Sequence, residues 1–393
     1  MTGEVELHES LHGARVRQRL GERIATAGGW LPFDEYMRIA LYEPGLGYYS
    51  AGARKLGAGG DFTTAPEISP LFGMCLARHC DEVLARLGGG DVLEIGAGTG
   101  KLACDLLVEL EARQRLPRRY RILEVSADLR ERQRELIARL PARLSGIVEW
   151  LDAPPATKWN GALLANEVLD ALPVQRFRFS NPDDTQALGV GVRPDGELEW
   201  HSRPADGVLA KEIDRIRAGL PWRWPDAYES ELCLMLQPWL LEVTASLERG
   251  VALFTDYGLP RSEYFHPDRS RGTLRCHYRQ GAHDDPFAHP GLEDITAWVD
   301  FTRVAEAADT ANLEVIGYAT QAAMLLGLGI EAAVMNAPDE SARIRRASEA
   351  RQLLLPAQMG ETFKAIALGR DFPAGKDGAP LAAFSVQDLR DRL

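Results

Sequence analysis

Residues 92–100, Val-Leu-Glu-Ile-Gly-Ala-Gly-Thr-Gly, decide the fold class of this chain. The apolar residues 92–95 predict a short buried strand, and the apolar spacing over 101–114 predicts a helix. The glycines between these two elements let the backbone turn sharply and approach a bound molecule closely. The stretch therefore predicts a strand, a ligand-binding loop and a helix in direct succession.

Apolar runs and helical patterns alternate on the C-terminal side of this loop. Further strands are predicted at 121–125, 146–151, 161–165 and 251–255. Strands separated by helical stretches favour parallel pairing with right-handed crossovers. Residues 313–318 and 363–368 predict a closing antiparallel pair on either side of a helix. The sequence therefore predicts an α/β sheet that is mostly parallel and has an antiparallel last strand.

The chain divides into three predicted parts. Residues 1–88 form an N-terminal helical segment that includes a Gly- and Pro-rich loop at 43–66. Residues 89–370 form the α/β core. Residues 371–393 form a C-terminal tail, which its Pro and Gly content predicts to be loosely attached.

Two insertions are predicted inside the core, at about 174–250 and 258–300. Residues 174–202 alternate apolar and polar side chains around Pro194-Asp195-Gly196, which predicts an antiparallel hairpin. Residues 258–300 are rich in Pro, His and Asp and are predicted to be loop-like.

Composition excludes several classes of function. The net charge of −12 disfavours general attraction to nucleic acid or anionic membranes. No apolar run approaches the ~20 residues that cross a bilayer, and the polar N-terminus lacks the apolar segment of a signal peptide. The five cysteines form no CxxC pair, so we expect reduced thiols and a cytoplasmic location without membrane insertion.

The sequence also predicts that the protein has no metal site. His277, His283 and His289 follow one another at intervals of six residues, which is not a spacing typical of metal ligands. They lie in the segment that is predicted to be loop-like. We therefore interpret them as solvated loop histidines.

The glycine spacing indicates which cofactor the loop binds. Gly96, Gly98 and Gly100 form a GxGxG pattern, whereas the dinucleotide fingerprint is GxGxxG. With Glu94 before the loop, the stretch resembles motif I of class I methyltransferases. The resemblance implies that Glu94, the three glycines and Ala97 bind S-adenosylmethionine. A tight structural turn without a ligand is the alternative.

Acidic residues at two further strand ends are candidates for the same cofactor. Glu124 lies 24 residues beyond Gly100, where a carboxylate can accept both ribose hydroxyls. Val125, the next residue, is a further candidate for binding the cofactor. Asp152, after the third predicted strand, matches a position that binds the adenine amino group in many class I methyltransferases. A solvated acid is the alternative for Glu124, and an ordinary turn residue for Asp152.

Polar residues that follow the strand at 161–165 are candidates for the catalytic residues. Ligands bind at the carboxyl ends of parallel strands, and Asn166, Glu167 and Asp170 come directly after this one. A carboxylate that clamps the planar fork of a guanidinium can leave one nitrogen free to attack a methyl group. We assign this role to Glu167, with Asp170 as second carboxylate and Asn166 ordering the edge and contacting the cofactor. A helix cap or surface ion pair is the alternative for Asp170.

The stretch Gly60–Ser69 and Tyr257 are candidates for the acceptor side. Asp61, Thr64 and Glu67 lie on a glycine-rich approach that suits a lid over cofactor and acceptor. The alternative is a loop that caps the helix predicted to begin near Pro70. Tyr257 follows the strand at 251–255, where it either lines the acceptor pocket or packs in the core.

Several segments together resemble one family, the MidA-type proteins, which includes a mitochondrial complex I assembly-factor arginine methyltransferase. The matching stretches are LPFDEYMRIALYEPGLGYYS (31–50), GDFTTAPEIS (60–69), VLEIGAGTG (92–100), ILEVSADLR (122–130), ANEVLDALPV (165–174), DYG (256–258), GTLRCHYRQ (272–280), DITAWVDFT (294–302) and MGETFKAIAL (359–368). The family commonly has a GPGRG-like loop, in which Ala97 and Thr99 here replace the proline and the arginine.

The resemblance implies a Rossmann-like class I methyltransferase sheet and favours an active-site role for the stretch Gly60–Ser69. It also implies arginine N-methylation of a protein, and we hypothesise a respiratory complex I subunit as the acceptor. The alternative is an assembly chaperone that binds S-adenosylmethionine and acts through protein contacts without catalysis. A nicotinamide-dependent reductase is disfavoured by the glycine spacing. A homodimer is compatible with the sequence.

Overall fold

The protein is described here by a computed structural model that covers residues 2–50, 64–181, 184–279 and 281–393. The N-terminal segment contains α1 (Thr2–Thr26), β1 (Leu31–Pro32), α2 (Phe33–Tyr42), α3 (Ala65–Ile68) and α4 (Pro70–Leu87). The first part of the core contains β2 (Asp91–Ile95), α5 (Lys101–Ala112), β3 (Tyr120–Leu123), α6 (Ala127–Ile137), α7 (Ala142–Ser145), β4 (Val148–Leu151) and β5 (Trp159–Asn166).

The first insertion contains β6 (Gln175–Asn181), β7 (Asp184–Val192), β8 (Leu198–Pro204), α8 (Gly207–Gly219), β9 (Tyr228–Leu232) and α9 (Leu236–Thr244). The next part contains β10 (Leu247–Leu259), α10 (Arg261–Tyr264), β11 (Arg275–Tyr278), β12 (Gly281–His283), β13 (Asp294–Thr296) and β14 (Val299–Asp300). The remainder contains α11 (Phe301–Thr310), β15 (Glu314–Thr320), α12 (Gln321–Gly327), α13 (Ile330–Met335), α14 (Glu340–Leu354), β16 (Phe363–Arg370) and 3-10 turns at Lys376–Gly378, Ala382–Phe384 and Arg390–Arg392.

The central sheet has the strand order β15-β16-β10-β5-β2-β3-β4, with β14 beside the end of β10. Its strands pair in parallel from β10 to β4, and β16 runs antiparallel to both of its neighbours. The predicted α/β class with an antiparallel last strand is confirmed. Because β2, β3, β5 and β10 are parallel, their carboxyl ends meet at one edge, where the loops that follow them form the site.

The sheet is buried on both faces. Val92, Ala162 and Val251 lie side by side in register and pack against a core that includes residues of α4 and α5. The residue after each of them points to the opposite face and packs among side chains of α9 and α11. Burial on both faces explains why these strands are continuous apolar runs without polar alternation.

The first insertion is an antiparallel sheet with the order β1-β7-β6-β9 and with β8 paired to β7. The predicted hairpin is the β7–β8 pair, whose turn is closed by a hydrogen bond from the backbone N–H of Arg193 to the carbonyl of Glu197 at 2.8 Å. The structure adds β6 and β9, and it brings the N-terminal segment to the same sheet through Leu31, which pairs with Val190.

The prediction that residues 258–300 are loop-like is wrong in part. Strand β10 extends to Leu259, and β12, β11 and β13 form a small antiparallel sheet in that order. The strands of this small sheet are three or four residues long. Elements so short lack the repeated alternation on which a strand prediction depends.

The tail after Gly369 is not loosely attached, contrary to the prediction. Leu381 and Phe384 are buried in the core that includes α12 and α4. The ring of Phe384 packs so closely on β15 that a Cβ at Gly317 would lie 2.3 Å from it. Apolar residues at 381–384 were the available signal, which the Pro and Gly content of the segment masked.

Helices long and apolar enough to span a bilayer do not occur among the residues that the structure describes.

Candidate active site

The glycine loop lies at the carboxyl edge of the sheet and borders a cavity of about 330 Å³. Gly96, Gly98 and Gly100 have φ angles of 67°, 53° and 85°, a region that favours glycine. A Cβ at Gly96 would lie 2.9 Å from the Cγ2 of Val168, so the loop also packs closely against the segment after β5. Gly100 is the N-cap of α5, so the loop opens directly into the helix.

Glu124 lies at the end of β3 with its side chain buried beside the cavity. Its Oε1 accepts a hydrogen bond from the backbone N–H of Ser126 at 3.0 Å, and its Oε2 accepts one from Gln133 at 3.1 Å. The Gln133 amide also donates to the carbonyl of Gly98 at 2.8 Å. Gln133 therefore joins the carboxylate to the glycine loop. Burial raises the pKa of Glu124.

Two other predicted cofactor residues line the same cavity. Glu94 is buried, and its Oε2 accepts a hydrogen bond from the Tyr120 hydroxyl at 2.6 Å. Burial raises the pKa of Glu94 to about 7. Val125 is 73% exposed, and it offers the cavity an apolar contact.

Asp152 is not brought to the cavity. Its side chain is 92% exposed, and its Oδ1 pairs with the Nη1 of Arg130 at 2.6 Å. Arg130 also donates to the carbonyl of Glu124 at 2.6 Å, so it connects the loops after β3 and β4. The predicted contact between Asp152 and the cofactor stays a prediction.

Asn166 and Glu167 line the cavity from the end of β5. The Asn166 Oδ1 accepts a hydrogen bond from the Thr255 hydroxyl at 2.8 Å, and its Nδ2 donates to the Oε1 of Glu167 at 3.0 Å. Glu167 has a φ of 53°, which is strained for a residue with a side chain. Burial and the neighbouring Asp170 raise the pKa of Glu167 to about 8, whereas hydrogen bonds from Asn166 and the Ala65 backbone oppose that shift.

Asp170 lies behind this edge and does not line the cavity. It is buried, and its Oδ2 accepts a hydrogen bond from the Tyr257 hydroxyl. Its Oδ1 has no hydrogen-bond partner among the described residues. Burial raises the pKa of Asp170 to about 6. Tyr257 does not line the cavity, and its ring packs edge-on against Phe363 with centroids 5.4 Å apart.

Asp256, which the sequence analysis did not single out, organises this edge. Its Oδ2 accepts hydrogen bonds from the backbone N–H groups of Val168, Leu169 and Asp170 at 3.2, 2.9 and 3.3 Å. Its Oδ1 accepts one from the N–H of Tyr257 at 2.9 Å. The carboxylate therefore fixes the turn that carries Glu167 and Asp170. Its position beside Tyr257 at a strand end was the available signal.

Two tyrosines of the N-terminal segment also line the cavity and were missed. The rings of Tyr42 and Tyr49 are stacked with centroids 5.5 Å apart and an interplanar angle of 24°. The Tyr42 hydroxyl donates to the carbonyl of Ala171 at 2.9 Å, and the Tyr49 hydroxyl donates to the Oδ1 of Asp294 at 2.8 Å. These bonds attach the N-terminal segment to the acceptor side of the core.

Two of the three predicted lid residues, Thr64 and Glu67, lie within the described part of the chain. Thr64 and Glu67 line the cavity, and Glu67 accepts a hydrogen bond from the Thr99 hydroxyl of the glycine loop. Asp61 lies outside the described residues, so its role stays a prediction. The alternative reading also has support, since the Oγ of Ser69 accepts a hydrogen bond from the N–H of Leu71 at 3.1 Å and caps α4.

Comparison with known proteins identifies the family. The family model for S-adenosyl-L-methionine-dependent methyltransferases matches residues 75–319. The chain belongs to this family. The matched segment includes the glycine loop, Glu124 and the edge from Asn166 to Asp170, so the methyltransferase cofactor is S-adenosylmethionine.

Full-length relatives agree with this assignment. The chain is 30% identical to the Drosophila melanogaster "Protein arginine methyltransferase NDUFAF7 homolog, mitochondrial" over 96% of this chain and 90% of that protein. It is 28% identical to the Danio rerio protein arginine methyltransferase NDUFAF7, with 89% and 85% covered. A Burkholderia thailandensis protein crystallised with S-adenosyl-homocysteine superimposes with a TM-score of 0.91, at 38% identity and 98% coverage of both chains.

The residues around the cavity of this methyltransferase fit the cofactor. A side chain at Gly96 would collide with Val168, and the glycine leaves the cavity open at this point. The buried Glu124 carboxylate suits ribose hydroxyls as hydrogen-bond donors, and the exposed Val125 suits an apolar base. Thr99 bonds to Glu67, so the loop retains a polar contact at the position where relatives commonly have arginine.

Proposed function

We propose that the protein methylates a guanidinium nitrogen of an arginine side chain in a protein acceptor. The observation that carries this proposal is a group of three carboxyl groups at the ends of β5 and β10. Burial raises the pKa of Glu167, Asp170 and Asp256, and the neighbouring Asp170 adds to the rise for the other two. None of the three forms an ion pair with a described residue. A cationic acceptor would stabilise the ionised form of these carboxyl groups, as a neutral acceptor would not.

Glu167 is the proposed clamp and proton acceptor. Its Oε1 is oriented by the Asn166 amide, and its strained backbone directs the carboxylate to the cavity. A carboxylate that accepts hydrogen bonds from two guanidinium N–H groups draws positive charge toward them and leaves the remaining nitrogen more nucleophilic. A pKa of about 8 suits a group that takes up the proton released when the nitrogen is methylated.

Asp170 and Asp256 are proposed as positioning residues, since neither lines the cavity. Asp256 holds the turn after β5 through three backbone N–H groups. Asp170, anchored by Tyr257, adds negative charge behind Glu167. Both would increase the preference of the site for a cation.

On the cofactor side, we propose that Glu124 accepts the ribose hydroxyls and that Val125 contacts the adenine. Glu94, the glycine loop with Ala97, and Asn166 would bind the remaining polar groups of the cofactor. When bound, S-adenosylmethionine supplies a methyl group that its sulfonium activates for displacement. The chain itself aligns the acceptor, excludes water and accepts a proton.

The stacked rings of Tyr42 and Tyr49 are proposed as one wall of the acceptor site. A planar guanidinium packs well on aromatic faces, which attract cations through their quadrupoles. Thr64 and Glu67 would close the cavity from the α3 side, together with the predicted lid residue Asp61. These contacts would favour an acceptor with a planar, positively charged side chain.

The names of the relatives support an arginine acceptor, because they are described as protein arginine methyltransferases. Those relatives are also named mitochondrial. A respiratory complex I subunit as the acceptor, a cytoplasmic location and a homodimer stay predictions for this chain.

Transfer of a labelled methyl group tests the proposal. Lysate from a strain that lacks this protein is incubated with the purified protein and radiolabelled S-adenosylmethionine, and labelled proteins are analysed by mass spectrometry. We expect methylarginine in one or few proteins. Label that appears only on lysine, on carboxyl groups or on small molecules would contradict an arginine acceptor.

The chaperone alternative would use the antiparallel sheet of the first insertion, which lies outside the central sheet, as its contact surface. A deletion strain complemented with folded Glu167→Gln separates the two functions. Loss of complementation is expected if catalysis is required. Full complementation by a variant without transfer activity would favour the chaperone.

A further inference from the structure

Strand pairing brings three potential metal ligands to one face of the small sheet β12-β11-β13. Cys276 pairs directly with His283 on one side and with Ile295 on the other. Directly paired residues share a face, and Glu293 lies two residues before Ile295, so its side chain returns to that face. The ligand atoms of Cys276, His283 and Glu293 all lie within 4.8 Å of one another.

Two buried polar atoms in this cluster, the Nε2 of His283 and the Oε2 of Glu293, lack hydrogen bonds among the described residues. The side chain of Glu293 is 0% exposed, and the Nε2 of His283 lies 3.0 Å from its Oε2. Neither atom makes a hydrogen bond with correct geometry to any residue that the structure describes. A buried carboxylate oxygen without a hydrogen bond is costly, and a bound cation removes that cost.

We propose that Cys276, His283 and Glu293 bind a zinc ion. A thiolate, an imidazole and a carboxylate are the donor set that zinc takes in proteins, in a tetrahedral arrangement with room for a fourth ligand. Cys276 and Glu293 are buried, whereas the His283 side chain is 31% exposed. The ion would therefore enter from the His283 side, where water completes its coordination.

The site would act as a clip within the small sheet, apart from the methyl-transfer cavity. It joins the β11–β12 hairpin to the segment that enters β13. The next residue after Glu293 is Asp294, which accepts the hydrogen bond from Tyr49 at the cavity wall. A zinc ion would thus stabilise the segment that holds Tyr49 in the cavity wall, without taking part in the reaction.

Zinc binding must displace protons from two of its ligands. Burial raises the pKa of Glu293 to about 8 and raises the pKa of the Cys276 thiol. Asp284, Asp285 and Asp294 add to the rise for Cys276, whereas Arg17 opposes the rise for Glu293. Zinc binding would therefore be accompanied by proton release.

Metal analysis of the full chain without an affinity tag tests the proposal. The protein is stripped with a chelator, dialysed against Zn²⁺, passed through a desalting column and analysed by mass spectrometry for metal. We expect about one zinc per chain in the wild type. We expect at least a tenfold loss of retained zinc in Cys276→Ser, His283→Gln and Glu293→Gln. Cys104→Ser and His266→Gln, which alter a cysteine and a histidine outside the cluster, should retain the ion.

Cobalt substitution tests the same ligands without depending on how the variants fold. Co²⁺ added to the stripped wild-type protein should produce a thiolate-to-metal charge-transfer band in the near ultraviolet, and Zn²⁺ should remove it. A wild-type protein that holds no zinc, or zinc retention that all three variants preserve, would overturn the proposal. A cobalt spectrum without the charge-transfer band would exclude Cys276 as a ligand and overturn it equally.

Discussion

The cofactor side and the acceptor side of this site are built in different ways. On the cofactor side, contacts are local: Glu124 binds groups that lie two and nine residues further along the chain. On the acceptor side, Asp256 holds the N–H of Leu169 from a distance of 87 residues, and Tyr49 bonds to Asp294 across 245. One half depends on two successive strand–loop–helix units, and the other depends on the assembled fold.

This difference separates cofactor binding, which many methyltransferases share, from acceptor recognition, which is particular to each. Such units can bind the same cofactor in other methyltransferases of this fold class, because contacts such as those of Glu124 lie within them. The acceptor side combines β5, β10, the N-terminal segment and the small sheet, so insertions can change it without disturbing the cofactor. We therefore expect mutations to abolish cofactor binding only on the first side and to abolish transfer alone on the second.

The largest effect is expected for Gly98→Val on the cofactor side. Gly98 has a φ of 53° and lines the cavity, so a β-branched residue there would strain the backbone by about 1–3 kcal/mol and fill space that the ligand needs. We expect S-adenosylhomocysteine to bind at least ~100-fold more weakly in calorimetry.

Gly196→Val is the matched control, because Gly196 also has a positive φ but a Cβ there meets no atom within 4 Å. The Gly196→Val variant should bind S-adenosylhomocysteine with wild-type affinity. If a folded Gly98→Val variant kept wild-type affinity, the cofactor would have to bind elsewhere.

Glu167→Gln is expected to affect transfer alone. The amide cannot accept a proton, so turnover should fall by roughly 10²–10⁴-fold, while the affinity for S-adenosylhomocysteine changes less than about twofold. Because the carboxylate is the active form and the pKa of Glu167 is about 8, kcat/KM of the wild type should fall as pH decreases below that value.

The same measurements on Glu331→Gln, an exposed glutamate on α13, provide the control, and its turnover should match the wild type. Turnover of Glu167→Gln that equals the wild type on the same acceptor would remove Glu167 from the mechanism. A pH profile that is unchanged by the substitution would assign the titration to another group.

Asp256→Asn should have a smaller effect than Glu167→Gln, and we expect it first as a loss in the free energy of unfolding. An amide can offer its oxygen to the three N–H groups of the turn after β5, but its NH₂ then faces the N–H of Tyr257. One donor is left without an acceptor, at a cost of about 1–3 kcal/mol in the free energy of unfolding. Urea denaturation measures this loss, and the exposed Asp309→Asn should show none.

The same contrast decides what the sequence could predict. The alternation of apolar runs and helical patterns predicted the sheet and its antiparallel last strand. The glycine pattern after an apolar strand and an acid at the next strand end were sufficient to predict the cofactor and the position of Glu124. Each depends on residues that are close in the chain. Gln133 was missed although it is also local, because a glutamine on a helix carries no signal until its partners are known.

Thr64 and Glu67 were predicted from the glycine-rich stretch 60–69, and the other acceptor-side residues were predicted only where they follow a strand closely. Asn166 and Glu167 met that condition, whereas Tyr42 and Tyr49 reach the cavity through the packing of the N-terminal segment. The cysteine, histidine and glutamate of the small sheet were missed for a related reason. Their spacing along the chain is irregular, and only the pairing register brings them to one face.

The smallest effect is expected for Asp152→Asn, which tests a predicted cofactor residue that the structure leaves outside the cavity. Its carboxylate is 92% exposed and pairs with Arg130, and exposed pairs contribute about 0–1 kcal/mol. The affinity for S-adenosylhomocysteine should therefore fall less than about fivefold by calorimetry. A decrease of more than about tenfold would mean that Asp152 turns toward the adenine when the cofactor binds. The cofactor side would then depend on a rearrangement of the loop after β4, and not on the two local strand–loop–helix units alone.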